Sequence, residues 1–383
     1  MLSASNLLSR GRAYPPPLDR ADVSFWYCGR TAIWEGVRAL GLQPGERVLV
    51  PAYSCGSETD ALLKAGLHVE YYRVRPDLTP DLDHVDALCA TPARALYLIH
   101  YFGFSQPMDA LRAFAAERGL LLLEDTAPGL YSSDERGRPL GTLGDMAIFS
   151  MVKSVPLPDG GALLLNRPHS PGADVPPPRR PDRLSVAGKV KHLLVQTAAH
   201  RYPRATASFS GAVLEPLVSS LKARRGMPPT PAALDLDPES RDMQMIVLKP
   251  ERVAWRASAL ARRLFHRMPH DEIRARRRRN FSALAGRLEA GPGWKALHTR
   301  LPSGCCPWFY PLLVEEPVAF QRHLAANGIA CKRTWSYFHS MMPREAFPFE
   351  SRLKMNVISL PIHQDLDDED TAYLADVVLR RKP

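Results

Sequence analysis

Two groups of charged side chains stand where predicted buried strands end. Lys153 follows the apolar run Met146–Phe149, and Glu124 and Asp125 directly follow the run Leu120–Leu123. A lysine beside buried surface can have a lowered pKa and form a Schiff base, although a lysine in a solvated loop fits the same position. A carboxylate at a buried strand end needs a cationic partner, unless it caps the next turn. These residues are therefore candidates for covalent and acid–base chemistry.

A third candidate is the start of a predicted helix at Gly29-Arg30-Thr31-Ala32. The first backbone N–H groups of a helix have no partner within the helix, and a glycine lets an anion approach them closely. A helix start of this kind favours a phosphate site. Many helices begin in the same way, so the segment alone does not identify one.

The elements around these residues alternate between two patterns from residue 29 to about 166. The predicted strands are Arg47–Val50, His68–Val74, Ala95–Ile99, Leu120–Leu123, Met146–Phe149 and Ala162–Leu165. The predicted helices between them include Thr31–Leu40, Glu58–Ala65 and Met108–Arg118. Nearly continuous apolar strands separated by helices predict an α/β fold with a mostly parallel sheet, in which ligands bind at the carboxyl ends of the strands.

A change in composition interrupts this alternation after residue 166. Six prolines between residues 168 and 181 predict a linker, and a Pro-rich and basic insertion extends over about residues 167–235. The rest of the chain predicts a long helical stretch at about Pro250–Glu289, strands at Trp308–Val314, Ile329–Thr334 and Val357–Leu360, and helices at Val318–Asn327 and Asp367–Leu379. We expect a large domain over residues 1–240 and a helical connection with a small α+β domain over residues 241–383.

The composition narrows the classes of function. The 383 residues are 45% hydrophobic and carry a net charge of +10, which excludes a disordered chain and favours anionic partners. Six cysteines without a C-x-x-C pair predict no metal site or disulfide framework, and no apolar stretch is long enough to span a bilayer. We expect a cytoplasmic protein, with Cys305 and Cys306 packed in the core.

Two basic segments have competing interpretations. Arg274 and Arg276–Arg279 have the charge to bind nucleic acid, but a helix face in solvent, or one facing an anionic substrate, is favoured because no aromatic side chains are interleaved. Residues Val186–Arg204 have the composition of a membrane-surface helix, but a helical insertion packed on the domain is favoured. We therefore expect neither nucleic-acid binding nor peripheral membrane contact.

Together, these segments resemble the DegT/DnrJ/EryC1/StrS family of pyridoxal-phosphate (PLP) enzymes, which have the aspartate-aminotransferase fold (fold type I). The matching stretches are Gly29–Leu40, Leu42–Pro51, His100–Gly103, Glu124-Asp125, Gly141–Asp145, Ser150-x-x-Lys153 with Gly160-Gly161, and Ser359–His363. The resemblance covers residues 25–166 closely and 305–380 more loosely. It implies a large domain with a seven-stranded sheet and a smaller α+β C-terminal domain.

The resemblance also implies a role for each candidate residue. Lys153 would bind PLP as a Schiff base and transfer the substrate proton, and Asp125 would keep the pyridine nitrogen of the cofactor protonated. The remaining cofactor contacts implied are Arg30, Thr31, Ala32 and Ser150 at the phosphate, and Cys55 and Tyr53 at the ring. The residues expected to line the substrate pocket are His100, Pro128, Tyr131 and Trp335.

This chain departs from the family pattern at two of these positions. Cys55 stands where an aromatic side chain usually stacks on the ring, so either Tyr53, two residues away, substitutes for it or the ring is sandwiched differently. Pro128 stands where the family has Gln or His near the phenolic oxygen of the cofactor. The cofactor chemistry is thus better supported than the usual substrate contacts. The central Asn-x-Arg-Met-like segment of the family survives only as Ser240–Met243.

The implied function is an aminotransferase that moves an amino group from an amino acid, glutamate or glutamine, to a keto substrate. A nucleotide-linked keto-sugar of polysaccharide or secondary-metabolite biosynthesis is the implied acceptor, and the implied assembly is a homodimer. Two alternatives stay open at this point. One is a PLP enzyme of the same fold that catalyses elimination, decarboxylation or condensation on a non-sugar substrate. The other is a non-catalytic binding protein.

Overall fold

A seven-stranded sheet forms the large N-terminal part of the computed structural model, which describes residues 13–170, 176–201 and 247–381. Its strands are β1 (Val23–Trp26), β2 (Arg47–Pro51), β3 (His68–Tyr72), β4 (Ala95–Ile99), β5 (Leu121–Asp125), β6 (Met146–Ser150) and β7 (Gly161–Leu165). They lie in the order β1-β7-β6-β5-β4-β2-β3. Strands β2 to β6 are parallel to one another. Strand β7 runs antiparallel to β6, and the edge strand β1 runs antiparallel to β7. The predicted α/β class with a mostly parallel sheet is confirmed.

Helices flank this sheet because each one buries one face against it. They are α1 (Gly29–Ala39), α2 (Ser57–Lys64), α3 (Leu82–Leu88), α4 (Met108–Glu117) and the single turn α5 (Met151–Ser154). Helix α1 packs closely on the sheet at Gly36, where a Cβ atom would lie 2.6 Å from the Met146 sulfur. A side chain there would require the side chains of Met146 and Leu163 to shift. A similar constraint acts at Gly161, where a Cβ atom would lie 2.4 Å from the backbone of Cys28.

The C-terminal part contains a second, antiparallel sheet of five strands. Its strands are β8 (Ala290–Gly291), β9 (Trp294–Ala296), β10 (Tyr310–Val314), β11 (Lys332–Arg333) and β12 (Val357–Leu360), in the order β11-β12-β10-β9-β8. The helices of this part are α7 (Ala259–His266), α8 (His270–Ala285), α9 (Pro317–Ala326), α10 (Pro348–Asn356) and α11 (Asp368–Leu379). Buried side chains of both sheets belong to one continuous core, so the two parts pack directly on each other.

Several predicted elements differ from the observed ones. The stretch Pro250–Glu289 is not one helix: a 3₁₀ turn at Pro250–Arg252 precedes α7, and α8 begins after Pro269. The predicted strand Ile329–Thr334 is reduced to β11, and β1 was not predicted. Residues 255–257, which were expected in the second domain, hydrogen-bond to Phe25 and Tyr27 at the edge of the large sheet. The predicted boundary at residue 240 and the segment Ser240–Met243 lie outside the described residues.

The described part of the Pro-rich and basic insertion contains one helix, α6 (Arg183–Arg201). The described residues on its N-terminal side, 167–170 and 176–182, form no helix or named strand, in line with the linker predicted from the prolines between residues 168 and 181. Over the ranges that the structure describes, no helix is both long and apolar enough to cross a bilayer.

The expectation that the arginine cluster of α8 is a solvated face is wrong for Arg277. Its side chain is buried and donates to the carbonyl oxygens of Ser154 and Trp308, at 3.0 and 3.2 Å, and to the amide oxygen of Gln364 at 3.1 Å. Five N–H donors in a rigid plane suit arginine to such bridging of carbonyl groups. Arg277 therefore ties α5 of the large part to the C-terminal part. Cys305 and Cys306 are buried, as predicted.

The end of β5 is fixed by the buried carboxylate of Glu124. His100 Nε2 donates to Glu124 at 2.9 Å, and the backbone N–H groups of Gly141 and Leu143 donate at 3.0 and 2.8 Å, with a further one from Gly144. Burial alone would raise the pKa of Glu124, but the hydrogen bonds from His100 and the backbone outweigh it and lower the pKa. The other ring nitrogen of His100 accepts the N–H of Gln106 at 3.1 Å, so the neutral ring with a proton on Nε2 satisfies both contacts.

We predict that Glu124→Gln destabilises the protein by about 3 kcal/mol at pH 7, because the amide turns an N–H group towards backbone donors in a buried site. The lowered pKa means that the ionised Glu124 stabilises the fold above its ordinary pKa of 4.5 and loses this contribution as the pH falls through the lower folded value. The difference from wild type should therefore shrink below pH 4.5. Urea unfolding at pH 7 and pH 4 measures both effects.

The control for this variant is Asp86→Asn, which removes the exposed ion pair with Arg118. It should cost less than about 1 kcal/mol, because solvent screens the pair. Equal losses in the two variants would contradict the structural role of Glu124.

Candidate active site

A cavity of about 210 Å³ lies at the carboxyl ends of β4, β5 and β6, against the start of α1. Its walls bring together residues that are distant in sequence. From the residues predicted for the site, the lining includes Arg30, Cys55, Asp125, Pro128, Ser150, Lys153 and Trp335. Lys153 and Asp125, which follow two different strands, thus line one cavity. This is the position at which parallel sheets bind ligands.

Lys153 lies in the single-turn helix α5, directly after β6. Its position depends on a residue of the C-terminal part, Trp308. The indole N–H of Trp308 donates to the carbonyl oxygen of Lys153 at 2.9 Å, and the Lys153 ammonium lies 4.7 Å from the centre of a Trp308 ring. The face of an indole attracts a cation, so Trp308 holds both the backbone and the amine of Lys153.

Asp125 is the last residue of β5, and its carboxylate is buried. One oxygen accepts the N–H of Ala127 and the other accepts the hydroxyl of Tyr97, both at 2.9 Å. Burial raises the pKa of Asp125, and the positive charge of Lys153 acts in the opposite direction. An ionised carboxylate has about four acceptor positions, so Asp125 keeps capacity for a further cationic donor in the cavity.

A second carboxylate, Glu58 at the start of α2, also lines the cavity and was not predicted as a site residue. It accepts the N–H of Cys55 at 2.8 Å, the thiol of Cys55 at 2.9 Å and the hydroxyl of Ser57 at 3.1 Å. Burial, followed by the negative charge of Glu58, raises the pKa of Cys55 to about 12. The Cys55 thiol is therefore protonated at neutral pH and acts as a hydrogen-bond donor rather than as a nucleophile.

Trp335 closes the cavity from the C-terminal part. Its backbone has a φ angle of +60°, which is strained for a tryptophan, and its carbonyl oxygen accepts the Lys354 ammonium at 3.2 Å. The same ammonium donates to the carbonyl oxygen of Ser54 in the large part. Burial lowers the pKa of Lys354 to about 8, although the charge of Glu58 opposes this shift. Lys354 thus joins the two parts of the chain beside the cavity.

Five predicted site residues do not line this cavity. The Thr31 hydroxyl donates to the carbonyl oxygen of Arg252 at 3.2 Å, and Ala32 is buried in α1. Tyr53 stacks on Tyr101, with a ring separation of 5.3 Å. His100 holds Glu124, and Tyr131 contacts His270 Nδ1 at 3.0 Å. His100 and Tyr131, which were predicted to line the substrate pocket, thus lie outside this cavity, and their polar atoms contact Glu124 and His270.

Three residues with contacts to the site were missed in the sequence. Tyr97 is the single polar-tipped side chain in the apolar strand β4, and this position was a usable signal. Glu58 lies three residues after Cys55, the usual distance for a side chain that returns to the backbone at a helix start. Trp308 has no local signal, because it is 155 residues from Lys153.

The fold and the site have counterparts among known proteins. Residues 28–170 match the model of the DegT/DnrJ/EryC1/StrS aminotransferase family. A dTDP-4-dehydro-2,3,6-trideoxy-D-glucose 4-aminotransferase of Saccharopolyspora spinosa is 36% identical over 148 residues, and a dTDP-3-amino-3,4,6-trideoxy-alpha-D-glucose transaminase of Streptomyces venezuelae is 33% identical over 146 residues. These matches cover 38% and 37% of this chain, and 38% of each relative's length.

The likeness of the folds extends further along the chain. The crystal structure of the aminotransferase TlmJ from Streptoalloteichus hindustanus superposes with a TM-score of 0.64 at 19% identity, over 99% of this chain and 96% of that one. The predicted fold type I is thereby confirmed. All the elements that carry Lys153, Asp125 and the start of α1 fall within the matched segment. The similarity to the DegT/DnrJ/EryC1/StrS aminotransferase family thus covers residues 28–170, the part of the chain that carries the cavity residues Lys153 and Asp125.

Proposed function

We propose that the protein is a PLP-dependent aminotransferase that transfers an amino group from glutamate or glutamine to a nucleotide-linked keto-sugar. The observation that carries this proposal is the meeting of Lys153 and Asp125 in one cavity at the carboxyl ends of β5 and β6. The names of the two relatives, which act on dTDP-linked sugars, support the class of acceptor. A homodimer, which the family resemblance implies, and a cytoplasmic location, which the sequence composition predicts, are part of the same proposal.

The residues of the cavity fit PLP. Asp125 is a buried carboxylate with free acceptor capacity, which matches a protonated ring nitrogen. Ala127, Ile148 and Cys55 offer apolar surface to a flat ring. The start of α1 lies at the cavity with Gly29 and Arg30, and a helix N-terminus of this kind suits a phosphate. The Ser150 hydroxyl lines the same wall.

In the proposed reaction, each residue of the cavity has a separate role. When bound, PLP supplies a ring that withdraws electrons from the substrate's α-carbon. Asp125 keeps a proton on the ring nitrogen, because its buried carboxylate favours a cationic partner. Lys153 holds the cofactor through Nζ and afterwards takes up and returns the substrate proton at the same atom. Trp308 orients Lys153 from the C-terminal part, and Trp335 shields the cavity from water.

Lys153→Ala should abolish the visible absorbance band of the PLP-loaded protein and its change on adding L-glutamate or L-glutamine, because no other amine lines the cavity among the described residues. Lys295→Ala is the matched control: this lysine is exposed on β9, and the variant should keep the band and its response. Absorbance spectra before and after the amino acid measure both.

Two outcomes of this experiment contradict parts of the proposal. A wild-type protein that shows no band even with added PLP contradicts the cofactor and the enzyme together. A band that does not change on adding either amino acid contradicts the proposed identity of the amino donor. It favours elimination, decarboxylation or condensation with the same cofactor.

A second prediction separates the two carboxylates of the cavity. Asp125→Asn should lower kcat by about 100-fold or more, the size of one preorganised electrostatic contact, because the neutral amide no longer favours a protonated ring nitrogen. Glu58→Gln is the matched control in the same cavity, and it should lower kcat less than about tenfold, since the carboxylate of Glu58 already bonds Cys55 and Ser57. Steady-state kinetics with saturating PLP measure the ratio, and a larger loss in Glu58→Gln would assign the ring partner to Glu58.

A further inference from the structure

A second cavity of about 250 Å³ adjoins the candidate active site. It lies between Tyr27 at the end of β1, the loop Leu157–Asp159, helix α6 and the segment 247–252. Cys28, Arg30 and Val152 line both cavities. A ligand in this second cavity would therefore lie next to the start of α1 and next to the helical turn that carries Lys153.

Two buried polar groups of this cavity have no hydrogen-bond partner among the described residues. Tyr27 is 5% exposed, and its hydroxyl is one of them. Asp159 is 3% exposed: one carboxylate oxygen accepts the N–H of Ser258 at 2.8 Å, and the other is the second unpaired group. Buried polar groups are almost always paired in folded proteins, so an unpaired hydroxyl and an unpaired carboxylate oxygen in one cavity point to a polar ligand.

Positive charge dominates the same cavity. Lys189 and His192 of α6, Lys249 and Arg252 line it, together with Arg30, and Asp159 is the single carboxylate among the described lining residues. The Arg252 guanidinium lies 5.7 Å from the Tyr27 ring centre, and its buried Nε has no partner in the part of the chain that the structure describes. Several cations around one acceptor group suit a phosphate that is attached to a hydroxylated molecule.

We infer that this cavity binds the diphosphate of the acceptor substrate. Arg252 and the lysines donate to phosphate oxygens, the Tyr27 hydroxyl donates to a further one, and a ligand hydroxyl donates to the free oxygen of Asp159. Burial raises the pKa of Tyr27, in line with a hydroxyl that stays protonated and serves as a donor. The identity of the ligand as the acceptor rests on the proposed function, whereas the binding of a diphosphate does not.

Phosphate in this region has two possible sources, the cofactor and the acceptor, and the experiment separates them. Isothermal titration of the PLP-loaded protein with dTDP and with inorganic pyrophosphate gives the affinity of the second cavity. Retention of PLP during dialysis gives the affinity of the first. Arg252→Ala should weaken the binding of dTDP and of pyrophosphate by about tenfold, which is the effect of losing one charge-assisted contact. The variant should leave PLP retention unchanged. Its carbonyl contact with Thr31 is kept, because the substitution does not touch the backbone.

The matched control is Arg263→Ala, which removes the same charge from an exposed position of α7 and should change the affinity for dTDP less than twofold. Tyr27→Phe gives a second signature. It should weaken dTDP binding while the melting temperature of the ligand-free protein stays the same or rises, because the variant removes a buried hydroxyl that has no hydrogen-bond partner among the described residues. A purely structural Tyr27 would instead lower the melting temperature and leave the affinity unchanged.

Three results would overturn the inference: no binding of dTDP or pyrophosphate to the wild-type protein at millimolar concentration, equal losses in Arg252→Ala and Arg263→Ala, or a loss of PLP in Arg252→Ala with dTDP binding intact. The last would assign the cations to the cofactor phosphate. Failure of the proposed aminotransferase activity is seen separately, in the spectral response to glutamate and glutamine. If the protein binds a diphosphate but shows no spectral change with glutamate or glutamine, the result supports the inference about the second cavity and contradicts the proposed aminotransferase activity.

Discussion

Two consecutive buried carboxylates at the end of β5 set the arrangement of the whole site. Successive side chains of a strand point to opposite faces of the sheet, so Glu124 and Asp125 meet different surroundings. The carboxylate of Glu124 is hydrogen-bonded within the protein, by His100 and by the backbone N–H groups of Gly141, Leu143 and Gly144. Asp125 receives only two hydrogen bonds from described residues and lines the cavity. The first carboxylate fixes the strand end, and the second is left to bind a ligand.

The amine that faces Asp125 depends on contacts with the other part of the chain. Helix α5 is a single turn, too short to be stable alone. Trp308 holds the carbonyl oxygen of Lys153, and Arg277 holds that of Ser154. Lys354 makes a comparable link between Ser54 and Trp335 on the opposite wall. Contacts from the C-terminal part therefore hold the turn that carries Lys153 and supply Trp335 to the wall of the cavity.

The sequence correctly predicts the strands and helices that local patterns of apolar residues determine. Strands β2 and β4 to β7 are buried on both faces, so their apolar runs are visible in the sequence. The parallel pairing of β5 and β6 brings Asp125 and Lys153 to one edge. Long-range packing is not visible in this way. A run of arginines has the composition of a solvated face, yet Arg277 is buried because distant carbonyl oxygens surround it. Trp308 was missed for the same reason.

The departures from the family pattern affect the walls of the cavity more than its charged pair. Cys55 offers a flat ring less surface than an aromatic side chain would, and its thiol is bound to Glu58. In the proposed complex, the ring is therefore held mainly at its ends. Those ends are Asp125 and the start of α1, both of which belong to rigid elements of the sheet layer. Pro128 has no side-chain donor, so it removes a contact to the cofactor without introducing an unpaired charge. Under the proposed function, the chain thus keeps Lys153 and Asp125, the groups required for proton transfer, and departs from the family pattern at Cys55 and Pro128 in the walls of the cavity.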